Sequence, residues 1–359
     1  MEASFEEVRI RAIAAALPRT SLNLTDLAKD FGALEVKRII RSTGIESVRI
    51  AGELNTGDLC QAAARSLFDT TGVHPGSVDA IVVVTQTPDL VMPATSVMLQ
   101  HRLGLPVHCA AFDINYGCSG YIYGLYQAAM LVSSGGCGRV LLCTGDVITK
   151  LLHSEDRHLR MLFGDAATAT LVERGDDRID FSLRTDGSGA KHLNTPHSHA
   201  AGQSGTAQVS RLYMDGAQVM NFALSSVPPA IDALLDRLRI RSQDVPLYAL
   251  HQANRFMLEY LARKMGLSPQ QVPVQVREVG NTGPSSIPLA MSIGVPGVLF
   301  RQDGVVACGF GVGLSIGVAQ LPLACTQIIP PVDVAPHCAT SLLSIPKEEQ
   351  DHELEGDLV

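Results

Sequence analysis

The sequence predicts an α/β protein whose strands are mostly parallel and buried, and three observations carry that prediction. Short apolar runs alternate regularly with amphipathic ones along the chain. The strand candidates read as continuous apolar runs such as "AIVVV", as in a sheet covered on both faces. The chain has 359 residues, 46% of them apolar and 18% charged. That is longer than one compact core usually holds, so two domains or a doubled architecture is expected.

The elements follow in order. "VRIRAIAAALP" reads as a first strand, and "LTDLAKDFGALEVKRIIRSTGI" as helical, with Asn23 or Thr25 as N-cap. "TGDLCQAAARSLFDTTG" is a helix ending at Gly72. "DAIVVVTQTPD" is a strand opening into a loop, and "PATSVMLQHRLGL" a helix. "VHCAAFDINYG" is a strand, and "CSGYIYGLYQAAMLVSSGG" a helix running into a glycine stop. "RVLLCTGDV" is a strand, and "LFGDAATATLVER" a loop leading into another. Residues 188–210 turn to Gly, Ser, His, Thr and Ala and read as a surface loop between halves. Its His192, His197 and His199 read as a solvated cluster rather than a metal site. "MDGAQVMNFALSSVPPAIDALLDRL" is mainly helix, interrupted at Pro228-Pro229. "PLYALHQAN" is a strand with a polar tip, "RFMLEYLARKMG" a helix, and "SIPLAMSIGV" a helix start. The two halves share a grammar of buried strand, polar or glycine tip, and helix. The tail, 326–359, is proline-rich and then acidic, and is expected to be partly disordered.

Several function classes are excluded on composition. The net charge is -8 and no basic block is present, so nucleic acid is not an expected partner. The N-terminus "MEASFEEVRI" lacks the apolar core of a secretory signal. Eight cysteines without CxxC pairs suggest reduced thiols in a cytoplasm. Gly304 to Val332 carries no charged side chain and is long enough to span a bilayer. Its glycines and prolines favour instead two buried strands, "VVACGF" and "LSIGVAQL", joined by a tight turn. No membrane partner is expected.

Three residues carry chemistry. Cys118 lies between Gly117 and Ser119-Gly120, at a strand-to-helix turn. A helix starting at Cys118 or Ser119 would place the thiol beside unsatisfied N–H groups and the positive end of the helix dipole, which stabilise thiolate. Cysteine is also a common core residue, and this stretch alone leaves both readings open. His251 in "YALHQAN" sits at a strand's C-terminal tip, where open α/β sheets build their sites. Asn281 in "VGNTGPSS" lies in a glycine turn and would serve equally as a turn residue. Together, a thiol, an imidazole and a carboxamide at strand tips and helix starts can meet at one surface. Cys-His-Asn sets also serve proteases, so the trio does not fix the reaction.

"DINYGCSGYIYGL", "FGDAATATLV", "HQAN" and "GNTGPSSIPLA", in that order and followed by "GFGVG", resemble the ketoacyl synthase III (β-ketoacyl-acyl-carrier-protein synthase III-like) family of the thiolase superfamily. The resemblance spans about residues 8 to 322. It implies a thiolase-like five-layered αβαβα fold of two similar halves, 1–187 carrying the nucleophile and 211–325 carrying His and Asn. A homodimer is usual. It implies that Cys118 takes an acyl group from a thioester of coenzyme A or acyl carrier protein. His251 and Asn281 would then hold a malonyl-type thioester while it loses CO2, and the enolate would attack acyl-Cys118. Backbone N–H groups of Cys118 and Val312 would form the oxyanion hole. No cofactor and no metal is implied beyond the thioester substrates. Elementary chemistry agrees: decarboxylation itself makes the carbanion, so the site needs neutral donors at an enolate oxygen rather than a dedicated base.

The resemblance also implies substrate contacts at Arg38, Met92, Arg157, Asn254, Phe256 and Gly311. Here the sequence departs from the family pattern. In "KRIIRSTGI", Arg38 and Ser42 stand where the family has a Trp and an Arg that sandwich adenine, and the chain has no Trp. Phe256 replaces an Arg after "HQAN", and Met92 stands where a Phe is common on the pocket wall that the dimer partner contributes. Arg157 is retained. These departures make a carrier-protein donor, and an acyl group other than acetyl, plausible. The competing readings are an O- or N-acyltransferase that keeps acyl-Cys118, and a silent partner subunit.

Overall fold

The computed structural model describes residues 1–196, 211–294 and 304–336. The principal strands are β1 (Glu2–Pro18), β2 (Ala80–Val84), β3 (Ala110–Ile114), β4 (Arg139–Asp146), β5 (Ala166–Thr185), β6 (Tyr248–Leu250), β7 (Val305–Gly311) and β8 (Ser315–Leu321). The principal helices are α1 (Ala33–Thr43), α2 (Thr56–Thr71), α3 (Thr95–Arg102), α4 (Gly120–Ser133), α5 (Gly216–Leu238), α6 (Arg255–Lys264) and α7 (Ser286–Gly294).

The strands run in the order β6-β7-β8-β5-β4-β2-β3, with β1 also pairing to β5. The parallel pairs are β2 with β3 and β4, β6 with β7, and β1 with the short strands Gln327–Ile328 and Val332–Val334. The pairs of β5 with β1, β4 and β8, and of β7 with β8, are antiparallel, which corrects the expectation of a mostly parallel sheet. For β7 and β8 the reason is local, since three residues can only return a strand alongside itself. This hairpin occupies the charge-free stretch, and among the described residues no helix is long and apolar enough to cross a membrane.

Two long strands join the halves. Glu2–Glu6 of β1 pairs with Arg178–Ser182 of β5, and Val8–Ala16 with Arg174–Ala167, the register slipping at Glu7. The first part of β5 pairs with β4 and the last part with β8. β5, which ends at Thr185, two residues before the expected boundary at 187, thus contributes to both sheets.

Five layers result. α4 lies in the middle, against β1, β2, β4 and β5 on one side and β7 and β8 on the other, with α7 beside it. α2 and α3 cover one outer face; α5 and α6 cover the opposite one. α4 is apolar nearly all round, as a helix buried between two sheets must be. Its Tyr121, Ile122, Leu125, Ala128 and Ala129 are fully buried.

Other expectations need correction. The helical stretch 24–45 breaks at Gly32, whose φ of 84° no helix tolerates, leaving a turn capped by Asn23, a short helix and α1. α5 runs unbroken through Pro228 and Pro229. Pro228 cannot donate to the Leu224 carbonyl, and Lys264 Nζ does so instead at 2.6 Å. The described part of the expected 188–210 loop is built: Gly187–His192 forms a 3-10 turn and Leu193–Asn194 pairs with Tyr213–Met214. His192 faces Asp215 at 3.9 Å, while His197 and His199 lie outside the described residues. The tail does not fray at 326: Gln327–Ile328 and Val332–Val334 pair with β1, and its acidic end lies outside the described residues.

Leu125→Ala should cost about 2–5 kcal/mol, because the cavity opens between two sheets that cannot collapse together. Urea unfolding measures this, and a loss below about 1 kcal/mol would contradict the sandwiched position of α4.

Candidate active site

Between β3 and α4 the chain makes a sharp turn, with Gly120 N–H donating to the Gly117 carbonyl at 2.7 Å. Ser119 is the N-cap of α4, so Cys118 precedes the cap rather than opening the helix. The thiol is 9% exposed. β7 runs directly over it. A β-carbon at Gly311 would lie 2.7 Å from Cys118 Cβ and 3.0 Å from Sγ, so only glycine lets the strand come this near. Ser315 Oγ donates to the Val312 carbonyl at 2.6 Å and meets Ser119 Oγ at 2.7 Å, fixing the chain after β7 onto the elbow. The N–H groups of Val312 and of Cys118 itself consequently reach the sulfur.

Those two amides favour thiolate, but they do not win. Burial, followed by the nearby Asp146 carboxylate, pushes the thiol up to about 12. The helix start favours thiolate, and burial acts on the thiol in the opposite direction as the largest influence.

His251 follows β6, its N–H donating to the Cys308 carbonyl at 2.8 Å. It is 2% exposed, and burial lowers its pKa to about 3, so the ring is neutral. Its Nδ1 lies 2.6 Å from Ser286 Oγ, which also accepts the Gln252 N–H at 3.3 Å. Phe310 packs edge-on against the ring. Asn281 is held by its backbone, which donates to the Leu162 carbonyl and accepts from Gly164 N–H. Its Oδ1 accepts the Gly283 N–H at 3.0 Å, which leaves the amide nitrogen as the group facing outward.

Two cavities meet at Cys118. A smaller one, about 100 Å³, is lined by Cys118, His251, Asn281, Asn254, Phe310 and Gly311 among others. A larger one, about 320 Å³, holds Cys118, Val312, Gln86, Asn115 and Asp146, with Phe163 and Leu193 shared between the two. The structure thus brings together Cys118, His251, Asn281, Asn254, Gly311 and Val312. Asn254 also caps α6, its side chain accepting Met257 N–H at 2.9 Å.

The remaining four residues line neither cavity. Met92 is 79% exposed on its own chain. Phe256 is exposed beside Tyr260, and Arg38 is exposed on α1. Arg157 lies at the surface, 3.6 Å from Glu35. Sequence reasoning missed Ser286, Asp146 and Gln86. Ser286 stands inside a quoted motif, but nothing in its spacing to His251 betrays a contact 35 residues away. Among the described residues no cluster of His, Cys, Asp or Glu is arranged to hold a metal.

Two family models match the chain. One, described as 3-oxoacyl-[acyl-carrier-protein] synthase III, covers residues 112–187; the other, its C-terminal part, covers 235–322. A β-ketoacyl-[acyl-carrier-protein] synthase III of Lactococcus lactis subsp. lactis is 34% identical over 325 residues, 88% of this chain and 99% of that protein. A 3-oxoacyl-(acyl-carrier protein) synthase from Burkholderia xenovorans superposes with a TM-score of 0.87 at 34% identity, covering 93% of this chain and 99% of that one. The priming β-ketosynthase of the R1128 polyketide biosynthetic pathway superposes with a TM-score of 0.80 at 29% identity, covering 89% and 98%.

Gly311→Ala should displace the thiol and slow acylation of Cys118 by about 100-fold, the typical effect of misplacing a reacting group by about 1 Å. Intact-protein mass spectrometry after a thioester pulse reads this directly. An unchanged rate would mean that the strand does not set the thiol's position.

Proposed function

Because the chain belongs to the 3-oxoacyl-[acyl-carrier-protein] synthase III family and is an acyl-transferring condensing enzyme of that type, we propose that Cys118 carries the acyl group between two half-reactions. In the first, Cys118 Sγ attacks the carbonyl of an acyl thioester of coenzyme A or acyl carrier protein. The new S–C bond forms as the donor's C–S bond breaks, and the thiol proton leaves with the departing thiol. The N–H groups of Cys118 and Val312, already directed at the sulfur, receive the oxyanion.

In the second half-reaction a malonyl-type thioester enters the smaller cavity. Ser286 accepts from Gln252 and donates to His251 Nδ1, so we assign the ring proton to Nε2. With its Oδ1 engaged by Gly283, Asn281 offers its NH2. Two uncharged donors then stabilise the enolate that forms as the C–C bond to the carboxylate breaks and CO2 departs. The enolate carbon attacks the acyl carbonyl, the new C–C bond forms as the C–S bond to Cys118 breaks, and Cys118 leaves as thiolate and takes a proton from solvent. The observation that carries this reading is the pairing of a neutral His251 with an Asn281 donor on one cavity with the thiol. O- or N-acyl transfer would call for a base, and burial has removed His251 from that role at ordinary pH. The intact constellation also argues against a silent subunit.

We further propose a homodimer acting in fatty acid or polyketide biosynthesis in the cytoplasm. β3 ends the sheet, and Val91, Met92, Val97 and Val107 are exposed in the segments flanking it, which suits a partner that receives Met92. The seven cysteines among the described residues are free thiols, which suits a reducing compartment.

His251→Ala or Asn281→Ala should lower malonyl decarboxylation by about 100-fold or more while acyl-Cys118 still forms, whereas Cys118→Ala should abolish the adduct. Equal loss of both half-reactions in the first two variants would contradict the division of labour. Since His251 titrates only at about 3, below the ordinary 6.5, decarboxylation should show no acid limb near pH 6.5. Because burial pushes the Asp146 carboxyl up to about 7, the profile is compared with that of Asp146→Asn, and an acid limb through pH 6–7 that persists in this variant would mean a histidine that protonates in that range.

A further inference from the structure

The cavity on the far side of Cys118 from His251 has two unlike walls. One is apolar, made by Ile148, Leu151, Phe163 and Leu212. The other carries hydrogen-bonding groups directly beside the nucleophile. Gln86 Oε1 packs onto Gly117, the residue before Cys118, where even a β-carbon would collide with it. Gln86 Nε2 reaches Asn115 Oδ1 at 3.5 Å, and the Gln86 backbone is fixed by its N–H to Asp146 Oδ1 at 2.7 Å. Asp146 is 2% exposed, and the bonds it accepts from Thr85, Gln86 and Thr87 all end on Oδ1. Its Oδ2 packs against Gly283, 3.1 Å from where a β-carbon would sit, and both residues line this cavity.

A plain alkyl chain filling this space would cover these groups and give them nothing to bond, a cost that polar sites use to reject apolar analogues. A hydroxyl fits them. It can donate to a carboxylate or carboxamide oxygen and accept from a carboxamide NH2. At about 320 Å³ the cavity far exceeds the ~30 Å³ of a single water and has room for a substituted chain.

We propose that the acyl group carried by Cys118 is hydroxylated, its hydroxyl held on the wall formed by Gln86, Asn115 and Asp146 while its carbon chain lies on the apolar wall. This rests on the acyl-Cys118 reading above and names the substrate class that reading leaves open. Gln86 is then the residue that sets specificity, since it joins the nucleophile's turn to the Asp146 network.

The test uses the full-length protein and pantetheine thioesters of butyrate, 3-hydroxybutyrate and 4-hydroxybutyrate, with Cys118 acylation followed by intact mass to give kcat/KM for each. The better hydroxyacyl donor should react about tenfold or more faster than butyryl. Gln86→Leu should bring that ratio to about one, and Asn115→Ala should lower it in the same direction. The second variant, on the exposed side of the wall, decides the matter if the first fails to fold. Butyryl reacting as fast as both hydroxyacyl donors, or a ratio untouched by the folded variants, overturns the proposal while leaving acyl-Cys118 standing. No adduct from any donor overturns acyl-Cys118 itself, and the proposal with it.

Discussion

At Gly309 a β-carbon would lie 2.7 Å from Ser119 Cα, and at Gly311 the same distance from Cys118 Cβ. This contact of β7 with the turn before α4 is the constraint on which the rest of the site depends. β7 belongs to the sheet of the second half, and the turn belongs to the first. Because two glycines remove all side-chain thickness, backbone meets backbone, and the Val312 N–H reaches a sulfur nearly two hundred residues earlier in the chain. The Ser119–Ser315–Val312 hydrogen bonds hold that approach. The shared strands β1 and β5 hold it, since both run from one sheet into the other and the sheets cannot separate without disrupting their pairing.

The same tight packing sets the electrostatics. Burial drives each ionisable group at the centre toward its uncharged form: Cys118 up to about 12, Asp146 up to about 7, His251 down to about 3. A site whose thiol and imidazole are both uncharged offers hydrolysis no strong base and leaves neutral donors for a carbanion. It also strengthens the few fixed donors, because an N–H aimed at an oxyanion acts without competition from solvent. The thiol is thus not a standing thiolate. In the proposed first half-reaction its proton departs during acyl transfer, when the two N–H groups would gain a developing charge to hold.

The residues themselves made the α/β class legible and marked Cys118, His251 and Asn281 as candidates, and the resemblance joined the three into one site. Apolar runs such as "AIVVV" mark buried strands, and "GCSGY", "HQAN" and "GNTG" combine reactive groups with the small residues that a close approach requires. What the sequence hid is whatever depends on contacts between distant segments. Nothing in "DFSLRT" shows that it pairs with β8 rather than closing the first half. Lys264 near Leu224, which lets α5 pass two prolines, is a contact across 40 residues. The thiol's raised pKa depends on how completely β7 covers it, whereas helix position alone argued for the opposite sign. Arg38, Met92, Arg157 and Phe256, all carried over by resemblance, are exposed and line neither cavity, while the contacts of Gln86, Asp146 and Ser286, which shape the site, join segments far apart in the chain.

The central claim is that one buried thiol holds an acyl group until a carbanion made beside it takes that group away. A single-turnover experiment on pre-acylated, donor-free protein tests it most directly. Malonyl thioester is added, and the Cys118 adduct, CO2 and the condensed product are followed together. Adduct loss, CO2 release and product formation should share one rate constant and a one-to-one stoichiometry. CO2 released while the adduct persists, or an adduct lost without CO2, would contradict it.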